Sequence, residues 1–155
     1  MKTNGGRSRV SLKRTTEVML LAGTLLCFSL PASTQEPETF SARLAVMPID
    51  AETSAVVTGS GSGTAVLDGR RLRVTGSFSG LRGPATVARL HEGPAMGIRG
   101  TSLFELAVAA SVEGTFSGEV ELSREQVQRL RQGRLYIQIH SETAPEGNLW
   151  GWLLQ

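Results

Sequence analysis

From Phe40 to the C-terminus, apolar and polar residues alternate in short runs separated by glycine-rich turns. Successive side chains of an extended chain point to opposite faces, so a period of two reads as strand with one face buried. Strands are predicted near 40–46, 64–67, 72–78, 85–91, 103–112, 115–122, 134–140 and 148–154. Turn signals recur about every ten residues, which favours antiparallel strands over alternating β–α units. Asp68-Gly69, between Thr64–Leu67 and Arg70–Val74, is predicted as the two-residue turn of a hairpin, both central residues taking positive φ. The fold class expected is all-β: an antiparallel Greek-key-like β-sandwich or partly open barrel of about seven to nine short strands.

One stretch departs from this period. Ser123 followed three residues later by Gln126 has the spacing of a capping box, Leu122 and Val127 occupy the two positions of a hydrophobic staple, and Gly133 supplies a stop. One short surface helix is predicted over about 123–132, its apolar edge made by Val127 and Leu130. It serves as a crossover element.

Alternation also sorts the polar residues of two strands that close on a histidine. Arg89 and His91 share a face opposite Ala88 and Leu90; Tyr136, Gln138 and His140 share a face opposite Leu135, Ile137 and Ile139. If those strands lie side by side, His91 and His140 become candidate metal ligands for zinc or copper, since neutral imidazole suits both. The competing reading has each histidine bonded to loop backbone at a strand end. Trp150 and Trp152 alternate onto one face of the last strand and are candidate partner-binding residues where exposed; at least one is expected to be buried.

The first thirty-odd residues change the charge argument. Lys2, Arg7, Arg9, Lys13 and Arg14 precede an apolar run from Val18 to Leu30, the pattern of a secretory signal peptide, with cleavage expected near Ala32–Thr34. The run is shorter than the roughly 20 residues of a spanning helix. The organisation expected is signal peptide 1–34, short linker 35–39 and one domain 40–155, with no membrane span after cleavage. Those five bases and Glu17 are the only Lys, Arg, Asp or Glu before Gln35, so what remains carries two more acids than bases. The sequence pI of about 9.2 therefore comes from the leader and does not point to nucleic acid. Cys27, the single cysteine, also lies in the leader, so the domain has neither disulfide nor thiol chemistry.

Several of these segments resemble the CHRD (chordin) domain family: Ala88-Arg89-Leu90-His91-Glu92-Gly93-Pro94-Ala95, Gly97 and Gly100, then Leu135-Tyr136-Ile137-Gln138-Ile139-His140-Ser141, and Pro145 and Gly147 through Gly151. The resemblance extends from about Phe40 to the C-terminus and implies an extracytoplasmic binding or structural module. Where relatives show two histidines separated by one residue, this chain has Arg89 and His91. Glu52-Thr53-Ser54-Ala55-Val56 replaces a proline-containing motif, and Asn148 and Trp150 stand in place of a Glu and an Arg. The framework is retained while the polar positions differ.

Catalytic patterns are thin. Gly59-Ser60-Gly61-Ser62-Gly63 reads as a flexible loop or a segment leading into a strand, not as a nucleophile elbow. Asp50 with Glu52, and Glu119 with Glu121, are same-face carboxylates of the kind exposed sheets commonly carry. The function expected is a non-enzymatic, secreted or periplasmic module without cofactor, its partner an unknown extracytoplasmic protein or polysaccharide. The alternative is a copper- or zinc-binding protein with a dismutase-like site at His91 and His140.

Overall fold

The computed structural model describes residues 1–2, 36–46 and 54–155. The chain divides into two units, Met1–Ser33 and Thr34–Gln155, and the fold lies in the second. The segment expected as signal peptide, apart from residues 1 and 2, and Asp50 and Glu52 fall outside the described residues.

Eight antiparallel strands are β1 Glu38–Val46, β2 Ser60–Asp68, β3 Arg71–Ser79, β4 Ala85–Glu92, β5 Thr101–Val108, β6 Gly114–Glu121, β7 Leu135–Ser141 and β8 Ala144–Trp152. They close into a barrel in the order β1-β2-β3-β6-β5-β4-β7-β8. The expected sandwich or partly open barrel is thus a closed one. Two narrow seams complete it: β5 meets β6 through Ala107–Ser117 and Val108–Phe116, and β1 meets β8 through Ala45–Trp150 and Val46–Leu149. The β3–β4 and β6–β7 connections each cross to a non-adjacent strand, as a Greek key requires.

The inward positions follow the alternation. Phe40, Leu44, Ala65, Leu67, Leu72, Val74, Leu90, Phe116, Ile137, Ile139 and Leu149 fill the barrel. Gly63, Gly76 and Phe116 stand in one row across three strands. A Cβ on Gly76 would lie 2.2 Å from the Phe116 ring, so the two glycines give up side chains to make room for it. The Gly-Ser string is therefore strand from Ser60 onward, its outward serines exposed.

The hairpin turn is displaced by one residue from its expected place. Asp68 pairs with Arg71, which leaves Gly69 and Arg70 as the central residues. Gly69 alone takes positive φ, at 60°. One left-handed residue at the first central position is the requirement of a type II′ turn, and this register keeps Leu67 opposite Leu72 inside the barrel.

The predicted helix forms as α1, Arg124–Arg131, in the β6–β7 crossover. Ser123 Oγ accepts from the Gln126 backbone N–H, while the Gln126 side chain accepts from the Ser123 N–H. Val127 and Leu130 are buried against the barrel. Among the described residues no helix is long and apolar enough to cross a membrane.

Candidate functional site

On β4, β7 and β8 the outward face is as informative as the core. Register places His91 opposite Tyr136 and Arg89 opposite Gln138 across β4 and β7. It also places Tyr136 opposite Trp152 and Gln138 opposite Trp150 across β7 and β8. The outer face therefore carries two rows of three, His91–Tyr136–Trp152 and Arg89–Gln138–Trp150. Tyr136 sits at the centre: His91 stacks on it at 5.0 Å between ring centroids, Trp150 at 5.2 Å and nearly parallel, and Trp152 lies tilted at 4.4 Å.

An outer barrel face normally meets water, yet Tyr136, Gln138, His140, His91 and Trp150 are all buried. The Gly93–Gly100 connection between β4 and β5 folds back over this layer. Gly100 N–H donates to Tyr136 Oη at 3.1 Å, and the Arg99 guanidinium lies 4.8 Å above the Trp150 ring, in cation–π range. Gly93 N–H donates to the Arg134 carbonyl at 2.9 Å. At the loop's tip the Ile98 N–H closes a turn on the Ala95 carbonyl, with Gly97 at φ 83°. Met96 and Ile98 are left 60% and 53% exposed.

The first half of β8 closes the other side. Ala144–Gly147, expected as loop, is strand after a register shift at Ser141. Gln138 Nε2 donates to the Glu146 carbonyl at 2.8 Å. Asn148 accepts from Ser141 Oγ at 3.1 Å and donates to the Thr58 carbonyl at 2.6 Å. Gly147, at φ 126°, has no room for a side chain: a Cβ there would stand 1.9 Å from Gln138 Nε2.

His91 and His140 do come together, their ring centroids 6.5 Å apart. His140 Nδ1 lies 2.7 Å from the Pro145 carbonyl. A carbonyl only accepts, so Nδ1 carries the proton and the neutral ring's lone pair is on Nε2. That Nε2, both ring nitrogens of His91 and Trp150 Nε1 are buried without a hydrogen-bond partner among the described residues. Burial holds both imidazoles below the usual value near 6.5, and the positive charges of Arg89 and Arg99 act the same way. Opposing this are the Pro145 carbonyl at His140 and, at His91, the Gly100 backbone, which lies close without completing a hydrogen bond. Burial also raises the Tyr136 phenol above its usual range.

This geometry bears on the dismutase-like alternative. Two imidazoles sharing a tetrahedral zinc at about 2.0–2.1 Å have nitrogens about 3.4 Å apart. Rings with centroids 6.5 Å apart bring their nitrogens no nearer than about 4.3 Å, because each nitrogen lies about 1.1 Å from its centroid. As placed, His91 and His140 do not share a tetrahedral ion. Among the described residues no group of three His, Cys, Asp or Glu is arranged to hold a metal.

Trp150 is covered by Arg99 and is not an open stacking platform; Trp152 keeps part of its ring at the surface. Glu119 and Glu121 face arginines and not one another: Glu119 pairs with Arg73 at 3.1 Å and Arg71 at 3.4 Å, and Glu121 with Arg70. Sequence reasoning missed Arg99 and the display of Met96 and Ile98, which exist only because the loop folds back. Gly93, Gly97 and Gly100 so close together were the available signal.

None of the curated proteins and none of the solved structures compared with the chain matches it. The family model of the CHRD domain does, over residues 40–153, which span the barrel from β1 to the last buried leucine. With most of its length matched, the chain belongs to the CHRD domain family.

Proposed function

We propose that this protein is an exported, non-enzymatic binding module that presents the Gly93–Gly100 loop to an extracytoplasmic protein. The observation that carries the reading is the pairing of a buried shelf with an exposed tip. Tyr136, Trp150 and Arg134 hold the base of the loop by hydrogen bond and ring contact, while Met96 and Ile98 project from its end. A loop already fixed in one shape loses little conformational entropy on binding, which is the general advantage of preorganisation. Aliphatic side chains at the tip suit a protein surface; a polysaccharide partner calls for open aromatic faces, and Trp150 is covered.

The non-enzymatic part of the proposal draws on the two histidines, which are buried under the loop, and on the match to the CHRD domain family. Export draws on the leader pattern that precedes the domain.

Photo-crosslinking from position 96 in the intact cell envelope, combined with fractionation, tests the proposal. The expected result is a processed chain outside the cytoplasm that forms one discrete protein adduct, lost in Ile98→Asp although the variant remains folded. A chain retained in the cytoplasm, or the same diffuse adducts with and without Ile98, overturns it.

A further inference from the structure

The buried nitrogens under the loop call for a partner of their own. His140 Nε2 presents a lone pair, because its Nδ1–H is committed to the Pro145 carbonyl. A neutral His91 has one lone pair and one N–H, and neither ring nitrogen has a protein partner among the described residues. Both side chains are more than nine-tenths buried, at 8% and 7% exposure. Two lone pairs left unpaired in a low-dielectric setting are costly, and with the two rings 6.5 Å apart one shared cation can relieve both.

The separation selects among cations. The tetrahedral span of about 3.4 Å is too short for rings placed 6.5 Å apart. A two-coordinate ion between opposed imidazoles has nitrogens about 4.1 Å apart at bonds of about 2.05 Å, within about 0.2 Å of the nearest approach that this spacing allows, whereas the tetrahedral span falls short of it by about 0.9 Å. Linear two-nitrogen coordination is the habit of monovalent d10 ions, Cu(I) and Ag(I). Charge selects in the same direction. Arg89 and Arg99 act on both histidines and are only loosely balanced, by Glu105 at 3.7 Å and Glu146 at 3.8 Å. A single added positive charge meets half the repulsion of a divalent one. The wall beside the rings is aromatic, with His91 stacked on Tyr136 and Trp150 behind it, and a polarisable wall of this kind suits a soft ion over a hydrated hard one.

We infer that His91 and His140 form a buried two-coordinate site for a soft monovalent cation of the Cu(I) class. Binding is simple ligation of a cation supplied already reduced; no electron or proton has to be transferred, since the ligating nitrogens are unprotonated in the neutral rings.

The test uses the full chain, untagged and carrying Cys27→Ser so that no thiol competes, with Ag(I) as a redox-inert probe. The chain has only two histidines, so nitrogen-15 NMR assigns the result without ambiguity. On addition of one equivalent of Ag(I), His140 Nε2 and one nitrogen of His91 are expected to shift together, while His140 Nδ1 keeps its proton. Competition against a chromophoric chelator is expected to give one Cu(I) per chain. His140→Gln should lower that affinity by more than about 100-fold, beyond the 10–100-fold typical of changes outside the coordination shell. Unshifted imidazole nitrogens overturn the assignment, as does affinity that survives His140→Gln. Zinc bound as tightly at the same nitrogens overturns the choice of a monovalent ion. The NMR readout needs no histidine variant to fold.

Discussion

The outer face of β2, β3 and β6 and the outer face of β4, β7 and β8 are built by the same alternation, yet they end in opposite states. On the first, Arg73 stands opposite Glu119 and Thr75 opposite Ser117, all exposed, with ion pairs lying in water. On the second, His91, Tyr136, Gln138 and Trp150 occupy equivalent outward positions and are buried. The strands do not differ in kind; the connections that join them do. β2 and β3 are joined by the two residues Gly69 and Arg70, too few to fold back on anything. β4 and β5 are joined by Gly93–Gly100, long enough to lie over the neighbouring strands and bond to Tyr136. A barrel wall thus acquires a second, outer core where a connection is long enough to cover it and aromatic side chains are there to be covered.

Tyr136 gives the sharpest way to break the comparison. Tyr136→Ala removes the ring on which His91, Trp150 and Trp152 pack and the acceptor of the Gly100 N–H. It should cost about 3–5 kcal/mol by the usual scale of buried aromatic deletions. Thr75→Ala, at an exposed outward position of β3, should stay within about 0.5 kcal/mol. Denaturant unfolding of the two variants decides it: equal losses would mean that the outer layer adds nothing to the fold.

Acid should separate the faces next. Folding holds both imidazoles below their usual value near 6.5, so between the lowered value and 6.5 the unfolded chain binds more protons than the native one. Stability then rises with pH across that interval and is lost as pH falls through it. In metal-free protein the melting temperature should fall from pH 7.5 to pH 5.5, a range above the usual 4.5 of Glu38, whose own lowered value acts only under more acid conditions. The slope should flatten in His91→Phe. A flat profile in the parent chain would show that the histidines are not held neutral by burial.

The smallest effect belongs to the solvated face. Glu119→Ala removes the partner of Arg71 and Arg73, exposed pairs that salt screens. The midpoint should hardly move in about 0.15 M salt. A large drop there would make the ion-pair ladder a structural element and erase the contrast between the two faces.

Most of the barrel was legible from alternation, because burying one face of each strand imposes a period of two that few other arrangements satisfy. The capping pair Ser123 and Gln126 announced α1 on local grounds. Closure was harder to read: it rests on Ala45 and Val46 finding Trp150 and Leu149 across a short seam, and nothing local in those residues marks a partner so distant in sequence. The hairpin register moved by one because Gly69 needs only one positive φ, and the inward pairing of Leu67 with Leu72 decided between two acceptable turns. Alternation put Arg89 with His91, and Tyr136 with Gln138 and His140, on their proper faces. It could not tell a wet outer face from a covered one, because that depends on where Gly93–Gly100 lies, and the placement of Arg99 over Trp150 is a contact between segments about fifty residues apart.

The pairing of the first strand with the last sets a timetable. Ser41 exchanges two backbone hydrogen bonds with Leu154, at 2.7 and 2.9 Å, and Ala45 meets Trp150. A chain delivered N-terminus first therefore waits with one side of β1 unpaired until β8 and Leu154 arrive. Closure of the barrel cannot precede the synthesis of β8, and a chain cut short before β8 leaves an open edge ready to join its neighbours.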